Sequence, residues 1–170
     1  MPFGGYQDFA ACVAANQDKA DPKAYCGTIQ AAAEKAAKDD AQKRFEIKKA
    51  DDIGQMLFGW ASIAVKADGT QLEDLDSELI DGPVLEKAAY EYVYDSGVTR
   101  DMHAGEPIGR LVEAVVVTDE KLAAMGLKRD GAPTVGFWTG YKIPDRETYL
   151  RVKATRKMLS IGGRCTRVEA

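Results

Sequence analysis

The order of apolar runs predicts an α+β domain, a small β-barrel or curled sheet with surrounding helices, preceded by an N-terminal helical hairpin. Three observations carry this. QMLFGWASIAV, GRLVEAVVVT and TVGFWTGYKI are short runs rich in β-branched and aromatic residues. Between them lie runs at helical spacing, punctuated by Pro, Gly and capping residues. The composition also changes near residue 50, from Ala- and Lys-rich to strand-rich. The expected division is 1–50, helical hairpin and charged linker, then 51–170, the main domain.

From the start of the chain, Phe9, Cys12 and Val13 recur at helical spacing, and NQDKADP forms a turn. Asp21-Pro22 starts a second helix, with Asp as N-cap and Pro at the first helical position. Tyr25, Cys26 and Ile29 share one face of it, and AAAEKAAKDDAQKR continues as a solvated arm. A linker is expected over about residues 38–52.

Gln55 to Gly69 reads as a strand ending at a turn, QLEDLDSELID as a solvated acidic loop, and Pro83 to Gly97 as a helix. Gly109 to Thr118 reads as a strand. Thr118 caps a short helix stopped by Gly126. Thr134 to Ile143 is a further strand, Asp145 caps the helix DRETYLRVKATR, and KMLSIGGRCTRVE is a last strand able to bend at its glycines.

The chain has 170 residues and a net charge of −4, with 45% hydrophobic and 29% charged residues. That balance supports a buried core and argues against a nucleic-acid binder, which needs a basic face. No apolar run reaches the roughly 18 to 20 residues of a membrane span, and MPFGGYQDF lacks the pattern of a signal peptide. Cys12, Cys26 and Cys165 are odd in number and form no CxxC pair. The expectation is a reducing compartment, no disulfide framework, and Cys12 and Cys26 packing as small apolar residues between two helices.

Three residues invite chemistry. Ser160 precedes Gly162, Gly163 and Arg164. Glycines let backbone N–H groups approach an oxyanion, and an arginine adds positive charge to it; the structural alternative is a strand serine beside a bulge. His103, the only histidine, lies in a Gly/Pro-containing turn and suits general-base work near neutrality, although a lone histidine is more often a surface residue. A single histidine excludes a multi-histidine metal centre. In LVEAVVV, alternation places Leu111, Glu113, Val115 and Val117 on one face. A carboxylate in that row would be partly buried and could orient an imidazole, or else pair with an arginine or face solvent. Asp101, Glu169 and water are the other candidates for that third role. No metal or organic cofactor is expected.

Taken together, PVLEKAAYEYV, DMHAGEPIGRLVEAVVVTDEKLAAMGL, GFWTGYKIPDRETYLRVK and MLSIGGRCTRVE resemble the XkdF-like phage capsid maturation (prohead) proteases over about residues 55–169. FAACVAANQDKADPKAYCGTIQ resembles a short helical module of phage head-morphogenesis proteins. The resemblance implies a serine endopeptidase related in fold to the herpesvirus assemblins, a small β-barrel ringed by helices. By position His103 matches the family histidine and Ser160 the family serine, while Glu113 falls on an acidic position. Glu78 and Leu159 stand where the family often has Asp and Phe. The implied partners are the capsid protein and the scaffolding protein, with self-association a further expectation and neither nucleic acid nor membrane involved. The implied location is the host cytoplasm, inside the assembling prohead. The rival expectation is a catalytically inactive head-assembly or scaffold-binding module of the same fold.

Overall fold

A computed structural model describes residues 3–74, 78–156 and 159. The element order is α1 (Phe9–Ala15), α2 (Pro22–Phe45), β1 (Ile47–Asp51), β2 (Met56–Val65), α3 (Gly82–Asp95), β3 (Val98–Asp101), β4 (Ala104–Val117), α4 (Asp119–Ala124), β5 (Val135–Lys142) and α5 (Arg146–Thr155). The chain divides into two compact units, Met1–Arg44 with Asp74–Glu78, and Phe45–Glu73 with Leu79–Ala170. Among the described residues, no helix is long and apolar enough to cross a membrane.

The first unit is the expected helical hairpin. Asp8 caps α1 by accepting from the Ala11 N–H at 2.7 Å, and Asp21 accepts from the Ala24 N–H at 3.0 Å ahead of Pro22. Phe3, Cys12 and Cys26 form its core, with Tyr6, Val13, Ile29 and Ala33 packed around them. One expectation is corrected here: Cys12 and Cys26 are joined by a disulfide, with their Cα atoms 6.0 Å apart. Facing apolar positions on two packed helices place small side chains within disulfide reach, so the pattern that predicts packing also permits the bond. Buried Asn16 braces the turn by donating to the Cys12 carbonyl at 2.8 Å and the Tyr6 hydroxyl at 3.1 Å.

The expected linker over 38–52 is also corrected. α2 runs to Phe45, and Ile47–Asp51 is an edge strand. IKKAD reads as polar because it is an edge strand whose three middle residues are exposed; its partner β2 makes it a strand.

The second unit holds one sheet of strand order β1-β2-β5-β4-β3, with antiparallel neighbours throughout. It is a mixed α+β fold with an open sheet in which β1 and β3 are the edges of the described strands. Phe137, Thr139 and Tyr141 alternate onto one face of β5, and all three are buried. On that face α3 packs Leu85 and Ala89 against Ala61, Ala64, Val116 and Phe137. On the same face α5 packs Tyr149 and Val152 against Leu57 and Ile143, with Ile47 and Ile108 at the margins. The opposite face carries Trp60 and Trp138 edge to face, 5.3 Å between ring centroids. The Phe58 ring sits against Gly140, where a Cβ would come within 2.5 Å of its Cδ1.

The helix signals of the second unit also hold. Gly97 (φ 57°) ends α3, its N–H bonded to the Tyr92 carbonyl at 2.8 Å. Thr118 caps α4 through the Lys121 N–H, and Asp145 caps α5 through the Thr148 N–H at 2.7 Å.

Candidate functional site

His103 sits in the two-residue turn between β3 and β4, where Asp101 pairs with Ala104. Met102 and His103 both have positive φ, 52° and 59°, as a type I′ hairpin turn requires. Such turns are usually built from Asn and Gly, because an L side chain in the left-handed region costs roughly 1 to 2 kcal/mol. Both side chains are exposed. The fold therefore holds the only imidazole of the chain on a strained, solvent-facing tip. His103→Gly is expected to raise the stability of the sheet unit by about 1 kcal/mol while removing the imidazole. Thermal melts of the two chains check this, and a lower melting temperature for the glycine variant would show that the histidine side chain holds the turn.

Glu113 is not brought to that turn. Val98 pairs with Arg110, Arg110 with Lys142, and Glu113 with Gly140. From Asp101 to Val98 and from Lys142 to Gly140 is five residue steps, roughly 16 Å at about 3.3 Å each. Glu113 is exposed and accepts from the Trp138 indole N–H at 2.6 Å. The expected row of alternating residues also breaks. A bulge between Leu111 and Glu113 places Leu111 opposite Tyr141 and Glu113 opposite Gly140. Leu111 thus turns to the helix-covered face, while Glu113, Val115 and Val117 keep to the other. One extra residue in a strand inverts the faces beyond it.

Asp101 is the carboxylate nearest the turn in sequence. Its oxygens are taken by α5 and the residue after it: Arg156 Nε donates at 2.7 Å and an Arg151 guanidinium N–H at 2.5 Å. The Arg156 bond and then the Arg151 bond hold the carboxyl at about 2, below its usual 3.8. Neither arginine stands out in the sequence, where DRETYLRVKATR reads only as a charged helix. Asp52, in the β1–β2 turn, holds the other side of α5. It accepts from Lys153 Nζ at 2.6 and 2.8 Å and from the Tyr149 hydroxyl at 2.6 Å, and these bonds lower its pKa.

A depressed carboxylate pKa stabilises the fold above the unfolded value and loses that contribution as pH falls through the folded value. Asp101 therefore contributes fully above about pH 4 and progressively less down to about pH 2. Its side chain is 22% exposed, so about 1 to 2 kcal/mol is expected after allowing for solvent screening. Urea unfolding at pH 7, 4 and 2 checks it. Asp101→Asn should be less stable than the native chain at pH 7 and converge on it near pH 2. A constant difference across that range would assign the effect to something other than the carboxylate charge.

Ser160, Gly162, Gly163, Arg164 and Glu169 lie outside the described residues. Leu159 is described: its N–H donates to the Phe45 carbonyl at 2.9 Å, and its side chain lies over Gly59 of β2. Among the described residues His103 has no hydrogen-bonded carboxylate: Glu113 serves Trp138, and Asp101 serves two arginines. Comparison with family models, with curated proteins and with solved structures finds no match to this chain.

Proposed function

We propose that this chain is a phage head maturation serine endopeptidase with an assemblin-like fold. His103 takes the proton of Ser160, whose oxygen attacks a peptide carbonyl. Backbone N–H groups at Gly162 and Gly163, assisted by Arg164, receive the developing oxyanion. His103 then returns the proton to the leaving amine, and water hydrolyses the acyl-enzyme. The substrates are the scaffolding protein, scaffold-like segments of the capsid protein, and the protease itself, inside the assembling prohead in the host cytoplasm. The observation that carries the reading is the tip of the β3–β4 hairpin. A hairpin whose pairing shifts register between Thr99 and Asp101 keeps a methionine and a histidine in left-handed backbone, both exposed, an expense that a stability-driven sequence avoids.

The test is co-expression with the cognate capsid and scaffolding proteins, native chain against Ser160→Ala, read by intact mass. Cleaved products in the native sample only would support the protease. A second reading, an inactive scaffold-binding module of the same fold, is favoured by the absence of a carboxylate bonded to His103 among the described residues. It requires identical uncleaved masses in both samples, with the chain still co-purifying with scaffold.

A further inference from the structure

We infer that two copies of this chain associate edge to edge through the second half of β4, forming one antiparallel sheet across a two-fold axis and packing the exposed flank of α3 in each copy against its counterpart. The inference stands apart from the protease reading. It starts from the lengths of two strands. β3 has 4 residues and β4 has 14, so β3 covers only the first half of its neighbour. Val98, the first residue of β3, pairs with Arg110, and the Leu111 N–H donates to the Gly97 carbonyl at 2.8 Å. Beyond Leu111 no described strand lies on that side, while β5 pairs along the other side as far as Val117. Alternate residues of an antiparallel strand turn their N–H and C=O groups away from a single partner, and another extended backbone matches that spacing. Val112, Glu113 and Ala114 are exposed, so the edge is open where it is unpaired.

The helix above this edge points to the occupant. Lys121, on α4 directly after β4, donates to Glu86 and Tyr90 of α3, and Gly97, just past the end of α3, accepts from Leu111. The flank of α3 that carries Glu86, Tyr90 and Val93 at helical spacing therefore runs along the open edge. Tyr90, Val93 and Tyr94 are exposed, Tyr94 at 91%. A lone peptide strand would fill the edge and leave this flank, one layer above it, uncovered. A second copy presents the same two layers at the same heights, its β4 for the edge and its α3 for the flank. A two-fold axis perpendicular to the sheet near Ala114 makes the two β4 strands antiparallel and keeps both α3 helices on one face, with Tyr90 of each toward Val93 of the other. The charges permit it. Lys121 and Glu86 at the margin neutralise each other within one copy, and Glu113 meets Val115 of the other copy instead of its own counterpart. A short edge and one helical flank fall below the roughly 800 Å² per copy of a standard interface, so the association is weak and reversible. Ala104 lies ten residue steps from Ala114, roughly 33 Å along β4, so the two His103 turns stand at opposite ends of the joined sheet.

The measurement is sedimentation velocity of the full-length chain over a concentration series, with non-reducing intact mass to exclude a covalent dimer. The native chain is expected to pass from monomer to dimer with a midpoint on the order of 10 to 100 µM. Ala114→Lys sets two lysines against each other at the two-fold axis and is expected to weaken association at least about 30-fold. Tyr94→Ser removes an aromatic ring from the flank and is expected to weaken it about 10-fold. Both positions are exposed, so both variants should melt like the native chain. If Ala114→Lys does not, Val112→Lys on the same edge takes its place. Leu150→Ser, which removes another exposed apolar side chain, on α5, should associate like the native chain. A monomer at every concentration, a dimer that survives either the edge or the flank substitution, or an equal loss in Leu150→Ser would overturn this interface, and each of these results leaves the protease reading untouched.

Discussion

Replacing Ser160 or His103 by alanine is expected to lower scaffold processing by roughly four to six orders of magnitude each, with the double variant little worse than either single one. Nucleophile and base act as a unit. An alkoxide cannot form without the base, and the base has nothing to deprotonate without the hydroxyl. Removing an exposed imidazole from a left-handed position costs the fold nothing, because alanine meets the same backbone strain. Glu113→Gln is expected to process at nearly the native rate. Its carboxylate serves the Trp138 indole N–H on the far part of β4, and an amide oxygen can accept that bond as well. Rates from co-expressed scaffold, quantified by mass spectrometry over time, check all three. Processing by the Ser160→Ala chain would remove the proposed nucleophile, and a large loss in Glu113→Gln would require a route from β4 to the turn that the strand register does not provide.

The sequence was most readable where a signal is local. Asp21, Thr118 and Asp145 each announce a helix start, and each side chain accepts from a backbone N–H three residues on. β2, β4 and β5, the three inner strands of the sheet, are likewise visible because burial demands apolar residues. The edges are not. Ile47–Asp51 carries two lysines and an aspartate, and Val98–Asp101 is four residues with two charges, so only their partners reveal them. The alternating row expected around Glu113 broke for a related reason. Alternation is a reliable guide to faces until a bulge, and the bulge after Leu111 has no signature in LVEAVVV. The Asp101 pair lies further still from sequence reasoning, since Asp101 and Arg156 are 55 residues apart.

The disulfide gives the second large expected effect. Cys12 and Cys26 are separated by 14 residues, and closing a loop of that size in the unfolded chain stabilises by about 3 kcal/mol. The first unit has little else to draw on. Its buried apolar core is Phe3 and the two cysteines, and α1 is seven residues long, below the length at which an isolated helix persists. Reduction should therefore melt α1 and the packing of the hairpin, while the Ala- and Lys-rich α2 keeps helix through its own propensity. The sheet unit holds its core separately, so its unfolding transition should be unmoved. Melts with and without a phosphine reductant, with hydrogen exchange over residues 9–15, check this, and Cys12→Ala/Cys26→Ala should reproduce the reduced state. A hairpin equally protected with both thiols free would show that the small core suffices alone. The same division sets where the chain can be cut. A chain beginning at Phe45 keeps β1 and should unfold in one transition like the sheet unit of the full protein. One beginning at Asp52 loses Ile47, which packs beside Leu57 and Tyr149 under α5, and exposes the flank of β2; its stability should fall by about 2 kcal/mol or more, with a lower midpoint. Equal melts for the two truncations would demote β1 to an ornament of the sheet.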